Sequence, residues 1–256
     1  MSKLTEENKF FDLSDYGRPV AKIIAKSLKN TNTTAIHVTL WFVVAGLISF
    51  YFILKEWYIV ATLFLILKSI LDAADGELAR EKESPSYTGR FLDSVSDIIL
   101  NFFLILLIGL LHSNSWYWII GAFCAIQLQG TLYNYYYVIL RNNTGGDTTS
   151  RIIETSTPTA FPQEKQSHVT LLFNIYKICY GAFDQIIYFM DRNASTSKKS
   201  FPNWFMTILS LYGLGFQLLL IGVLLVAGIG SNILPFIVYY SIGIPILILV
   251  RKLFLS

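Results

Sequence analysis

The chain has 256 residues, of which 54% are hydrophobic and only 14% charged, with a formal net charge of +3 and a mean hydropathy of +0.51. So apolar a composition excludes an ordinary water-soluble globular domain and points to an integral membrane protein. The two cysteines, Cys124 and Cys179, fall in an apolar run and in a mixed segment far downstream, so no disulfide framework is expected.

Residues 1–35 read as a cytoplasmic arm. Ser14 and Asp15 are placed to cap a helix with Val20, Ile23, Ile24 and Leu28 on one face and Lys22, Lys26 and Lys29 on the other. A juxtamembrane amphipathic helix of this kind suits a surface of anionic headgroups; a solvated arm is the alternative. Six apolar runs follow, at Ile36 to Leu54, Trp57 to Ala74, Phe91 to Leu111, Trp116 to Leu140, Trp204 to Gly228 and Ile233 to Val250. Each is long enough to cross roughly 30 Å of hydrocarbon, which takes about 20 helical residues. They are too long for barrel strands and must satisfy their own backbones as helices. The expected fold is therefore an all-α, integral membrane six-transmembrane-helix bundle over residues 36–252.

With six spans, every Lys and Arg except Lys55 and Lys68 lies on the side that holds both termini, and that side is cytoplasmic by the positive-inside rule. The first apolar run starts after a charged segment, so no cleavable signal peptide is expected and the first span does the targeting. Asn-x-Ser/Thr matches at Asn32, Asn142 and Asn193 would then face the cytoplasm and are read as chance. Residues 141–202 are the longest polar stretch. They begin with loop chemistry, from Asn142 through Gly145 and Gly146 to Arg151, then Pro158 and Pro162. Between His168 and Arg192, Leu172, Ile175, Cys179, Ile186 and Met190 return with helical spacing, interrupted by Lys177, Asp184 and Asp191. An interfacial helix fits this pattern. A seventh span would put Lys177 and Asp184 at membrane depth and Arg251 and Lys252 outside.

The chemistry concentrates between the second and third runs. Asp72 and Asp75 are three apart and Asp93 and Asp97 four apart, so on two helices each pair occupies one face, about a turn along. Carboxylates beside hydrocarbon need a counter-ion, a metal or water, and four from facing helices can build a metal site. Oxygen ligands without His or Cys favour Mg²⁺, Mn²⁺ or Ca²⁺. Gly76 and Ala79 leave room for a flat ligand against the backbone, while Arg80 and Arg90 bring fixed positive charge suited to a pyrophosphate. Gly89 reads as the end of the connecting loop or a point of close ligand approach.

The string Asp72-x2-Asp75-Gly76-x2-Ala79-Arg80-x8-Gly89-x3-Asp93-x3-Asp97 resembles the signature of the CDP-alcohol phosphotransferase family, also called CDP-alcohol phosphatidyltransferases, at every defined position. The resemblance implies a transferase in which an acceptor hydroxyl attacks the β-phosphorus of a CDP-alcohol and CMP leaves. It implies two divalent metal ions, Mg²⁺ or Mn²⁺, on Asp72, Asp75, Asp93 and Asp97, with Asp97 also the general base and Asp93 beside it in the catalytic set. Asp72, Gly76, Ala79, Arg80 and Gly89 would form the nucleotide site. Family members often begin the first span with a Pro-Asn-x-Ile-Thr-like segment, of which Ala35-Ile36-His37-Val38-Thr39 keeps only the threonine, leaving Thr39 either a nucleotide contact or an ordinary helix hydroxyl.

The family joins either CDP-diacylglycerol to a small polar acceptor or a CDP-activated headgroup of choline, ethanolamine or inositol type to a lipid or polyol alcohol. Six spans in a short chain resemble the bacterial and archaeal enzymes of the first kind, in phospholipid biosynthesis in the cell membrane. Polar groups in the bundle interior are the candidates for the acceptor site: Lys68, Arg90, Tyr133, Asn134 and Arg141, with Gln127 and Gln129, for which interhelical hydrogen bonding is the other reading. Lys68 would bind a second phosphate or balance charge. By analogy with relatives the enzyme is expected to be a homodimer, with lipid bilayer and substrates as partners and no nucleic acid. A transporter is the reading from another class, disfavoured because transport sites lie near the bilayer midplane on broken helices.

Overall fold

The long apolar runs fold as helices, because inside hydrocarbon only a helix satisfies its own backbone. In a computed structural model of the chain, which describes Leu4 and residues 8–145, 151–197 and 200–255, every regular element among the described residues is helical. They are α1 (Arg18–Leu28), α2 (Ala35–Leu54), α3 (Tyr58–Glu81), α4 (Tyr87–Leu111), α5 (Trp116–Asn143), α6 (Gln166–Met190), α7 (Asn203–Ser210), α8 (Leu214–Val226), α9 (Ile233–Tyr240) and α10 (Gly243–Phe254).

Local signals set the ends. Thr34 and His37 form a reciprocal capping box at the start of α2, and Ser86 caps α4 by accepting from the Gly89 N–H at 2.8 Å. The cap expected at Ser14 and Asp15 is placed differently. Asp12 caps a short 3₁₀ turn at Leu13–Asp15, and α1 begins after Gly17 with Pro19 in its first turn, where the missing N–H costs nothing. The face that α1 turns inward carries Ala21 and Ala25, packed on Ala74 and Leu78 of α3. Val20 and Ile23 stay exposed with Lys22 and Lys26.

By length and composition, Ala35–Leu54, Tyr87–Leu111 and Gly230–Phe254 can each cross a membrane, and α7 with α8, bent by 47°, makes a fourth if the pair is one span. The sequence reading expects six. The difference lies in α3 and α5, which are long enough at 24 and 28 residues but carry Lys68, Asp72 and Asp75, and Gln127, Gln129, Asn134 and Arg141. These polar residues on α3 and α5 include several that line the site.

Two apolar clusters fill the bundle. One joins Ile53, Leu65, Leu104, Ile108, Ile119 and Leu225 from five helices. The other is aromatic, with Tyr135, Tyr136 and Tyr137 of α5 against Phe201 and Phe205. Helix α6 packs its first half, through Val169, Phe173 and Tyr176, on Phe91 and Val95 near the start of α4, and Ile187 near its end joins the cluster at the close of α5. The start of α4 and the close of α5 lie at one end of the bundle, so α6 crosses that end instead of running along the axis. Its far end is anchored by a fully buried ion pair between Asp191 and Arg251 of α10, with the Tyr136 hydroxyl donating to Asp191 Oδ2 at 2.5 Å and the Tyr135 hydroxyl to its carbonyl at 2.7 Å.

Removing one partner of a buried pair leaves the other charge uncompensated, at a cost of about 3–5 kcal/mol. Asp191→Ala is expected to lower the thermal unfolding midpoint in detergent by a correspondingly large amount, and the double change Asp191→Leu with Arg251→Met to recover most of it.

Candidate active site

Where α3 ends and α4 begins, the carboxylates of both helices face a cavity of about 840 Å³. One oxygen each of Asp72, Asp75 and Asp93 lies within 4.8 Å of the other two. Asp75 accepts a 2.6 Å hydrogen bond from the Thr39 hydroxyl of α2, whereas Asp93 Oδ1 is buried with no hydrogen-bond partner. Three carboxylates so close repel strongly in a partly desolvated site, and a buried oxygen among them without a hydrogen-bond partner suits coordination to a cation. Hard oxygen donors without His or Cys fit a divalent ion of the Mg²⁺ or Mn²⁺ kind.

Asp97, one turn deeper than Asp93, stands apart from this trio. It forms an ion pair with Lys68 of α3, whose side chain is fully buried and lies over the Phe42 ring at 4.9 Å. Lys68 thus sits behind Asp97 and does not line the cavity wall, and Gln129 is likewise turned away, donating to Ile237 O and Ser241 Oγ at 3.0 and 2.8 Å. The other residues singled out in the sequence do line the cavity: Asp72, Asp75, Asp93 and Asp97, Gly76, Ala79, Arg80, Gly89, Arg90, Gln127, Tyr133, Asn134 and Arg141.

Several of these have partners that the sequence does not reveal. Arg80 pairs with Glu77 at 3.1 Å, and Glu77 also binds Arg18 of α1. Arg90 pairs with Glu154 and lies over Phe91. The Tyr133 hydroxyl donates to Asp12 Oδ2 at 2.5 Å. Gly89 belongs to the first turn of α4 and not to the connecting loop, and a β-carbon there would lie 3.2 Å from Ser86 Oγ. Of the Gly-rich stretch from Gly145 to Arg151, residues 146–150 lie outside the described residues.

The segment before α6 contributes residues that sequence reasoning missed. Glu164 accepts from Ser86 Oγ at 2.7 Å and from the Tyr87 and Thr88 N–H groups at 3.1 and 2.7 Å, placing a negative charge on the N-terminus of α4. Phe161, on the cavity wall, stacks on Tyr87 with ring centroids 4.8 Å apart. A lone acid in a polar loop carries no signal of such a role. Asn101 and Thr131, which also line the cavity, were legible as polar residues within apolar runs.

Burial opposes the charge on Glu164, but the hydrogen bonds from Ser86, Thr88 and Tyr87 together outweigh it and hold its carboxyl below the usual glutamate range. A depressed folded pKa stabilises above the unfolded value and is lost as pH falls through the folded one. Hydrogen exchange at the Tyr87 and Thr88 amides, taken relative to its intrinsic rate at each pH, is therefore expected to stay slow at neutral pH and to rise only as acid takes the Glu164 carboxyl through its lowered titration range. In Glu164→Ala it should be fast already at pH 7.

A family model described as CDP-alcohol phosphatidyltransferase matches residues 32–191, from the turn before α2 to the end of α6, and holds all four aspartates. The chain belongs to that family and is a membrane-associated transferase of substituted phosphate groups. No curated protein and no solved structure matches it.

Proposed function

We propose that the chain crosses the membrane six times, with α3 and α5 as spans beside the apolar ones, and that it transfers a substituted phosphate from a CDP-alcohol to an acceptor hydroxyl at the cytoplasmic face. The observation that carries this reading is the trio of carboxylates at the mouth of a cavity whose wall also holds Gly76, Ala79 and Arg80. Its cytoplasmic placement is supported by the basic residues, since among the described ones all but Lys55 and Lys68 belong to the end where α3 closes and α4 opens. The crossing of that end by α6 supports an interfacial role for the helix.

Asp72, Asp75 and Asp93 would hold the divalent metal, Mg²⁺ or Mn²⁺, with Asp97 as the further ligand if two ions are bound. Bound there, such ions neutralise charge on the phosphoryl oxygens and on the leaving group. The chain's own residues do the rest. Gly76 and Ala79 present nearly bare helix surface to the cytidine, and Arg80, held by Glu77, directs its guanidinium toward the phosphates. The acceptor oxygen forms a new bond to the β-phosphorus, the bond from that phosphorus to the bridging oxygen breaks, and the electron pair leaves with CMP. Asp97 takes the hydroxyl proton, and Lys68 fixes the orientation of its carboxylate. The favoured donor is CDP-diacylglycerol, with a CDP-activated headgroup as the alternative.

General-base catalysis is worth about 10²–10⁴-fold, so Asp97→Asn is expected to lower CMP release by that order while CDP binding changes little; unchanged turnover removes Asp97 from the role. Thorough chelation should abolish turnover and Mg²⁺ or Mn²⁺ restore it. Activity that survives chelation would refute metal dependence.

A further inference from the structure

Beyond the aspartates the cavity continues into the bundle, where Asn101 of α4 and Gln127 and Thr131 of α5 form its wall. Asn101 is one turn deeper than Asp97, and Gln127 one turn deeper than Thr131. All three residues are more than nine-tenths buried, at 4%, 4% and 6% exposure. Asn101 Oδ1, Gln127 Nε2 and Thr131 Oγ1 nevertheless have no hydrogen-bond partner. Such groups are rare because leaving them unmade is costly. They are not general bundle glue. The neighbouring glutamines that do hold helices together have partners for their amides: Gln129 on Ile237 and Ser241, and Gln217 on Ile126 O at 3.1 Å and Gln129 Oε1 at 3.0 Å.

We propose that Asn101, Gln127 and Thr131 are the seat of the acceptor, and that the acceptor is a compact, uncharged alcohol bearing further hydroxyl groups. The inference rests on the transfer reaction proposed above and specifies its second substrate. The seat offers two amides and a hydroxyl, and turning either amide over exchanges donor for acceptor without adding charge. Among the described residues, the cation at this depth is Lys68, and it is committed to Asp97. Seated on these three groups, a phosphorylated alcohol would set a charge of about −1.5 to −2 below the aspartates and against neutral amides and a hydroxyl. The arginines of the cavity belong to its mouth, where Arg18 and Arg80 pair with Glu77 and Arg90 with Glu154 and where the donor's phosphates enter in the reaction proposed above; Arg141 lies ten positions past Thr131, about 15 Å along the helix. A neutral polyol satisfies the three orphaned groups, and its reacting hydroxyl lies toward Asp97, one turn above Asn101. A diacylglycerol acceptor would instead set apolar chains against this polar wall.

The test uses the full chain in detergent with Mg²⁺ and CDP-diacylglycerol, comparing glycerol with glycerol 3-phosphate and inositol with inositol 1-phosphate, with CDP-choline and diacylglycerol as a separate arm. CMP release should favour a neutral acceptor over its phosphate ester by at least about tenfold in kcat/KM. Gln127→Leu and Thr131→Val should each raise the acceptor KM about tenfold, the loss of one good hydrogen bond, while the donor KM stays within about twofold. Because each change removes an unpaired buried group, the thermal midpoint should hold or rise. Preference for a phosphate ester, turnover with diacylglycerol alone, or equal rises in both KM values would overturn the proposal. If no pair releases CMP, the transfer reading has failed on its own account. Calorimetric titration of glycerol and inositol into protein holding CDP then decides the seat, supported by heat that Gln127→Leu abolishes and overturned by none.

Discussion

Three carboxylates within 4.8 Å of one another repel, and the rest of the bundle is arranged around keeping them there. Two come from the last turns of α3 and one from the first turns of α4, so the short connection between these helices brings them together. Thr39 reaches across from α2 to hold Asp75, and Lys68 from within α3 holds Asp97. Each tie crosses between helices, so the packing of α2, α3 and α4 and the placement of the charges support one another. In an apolar medium a charge without a partner is far costlier than a gap in packing, which makes this constraint the governing one.

The same economy of charge runs along the mouth. Glu77 joins Arg18 and Arg80, Glu154 meets Arg90, and Glu164 occupies the N-terminus of α4. The result is a rim of paired ions that stays ordered while presenting guanidinium groups to the cavity. Deeper in, charge gives way to amides and a hydroxyl. The cavity is therefore graded from ionic at the surface to neutral and polar inside, and the proposed acceptor differs from a CDP-alcohol in just this respect.

Much of this was legible in the chain itself. The spacing of Asp72, Asp75, Asp93 and Asp97 fixed which faces of two helices would meet, because helical periodicity converts sequence distance directly into angle. The apolar runs gave the long helices, and the polar residues interrupting α3 and α5 marked the ones that line the cavity. What could not be read were contacts between residues distant in sequence: Lys68 with Asp97, Tyr133 with Asp12, and Glu164 with Ser86. Each depends on how helices are juxtaposed. Lys68 was conspicuous as an intramembrane lysine and stood open between binding a phosphate and balancing charge, and only packing could say that its amine turns toward Asp97. The face that α1 turns to α3 could not be read for a related reason, since small alanines permit the closest approach while the larger Val20 and Ile23 are left outside.

The turn at Leu13–Asp15 sits against the bend between α7 and α8. The Leu13 amide donates to Ser210 Oγ at 2.9 Å, and Gly213 and Gly215 have no room for a β-carbon beside Ser14. Ser14, Gly215 and Gln217 all line the cavity, so its wall joins the beginning of the chain to a helix near its end. A polypeptide is made from its N-terminus, and α2 to α5 emerge long before α8. Until that late helix arrives, the pocket lacks a side and its charged interior stays open. The transferase thus acquires its chamber only once α8 has been made, and a chain truncated before α8 would carry every aspartate of the motif in an unfinished vessel.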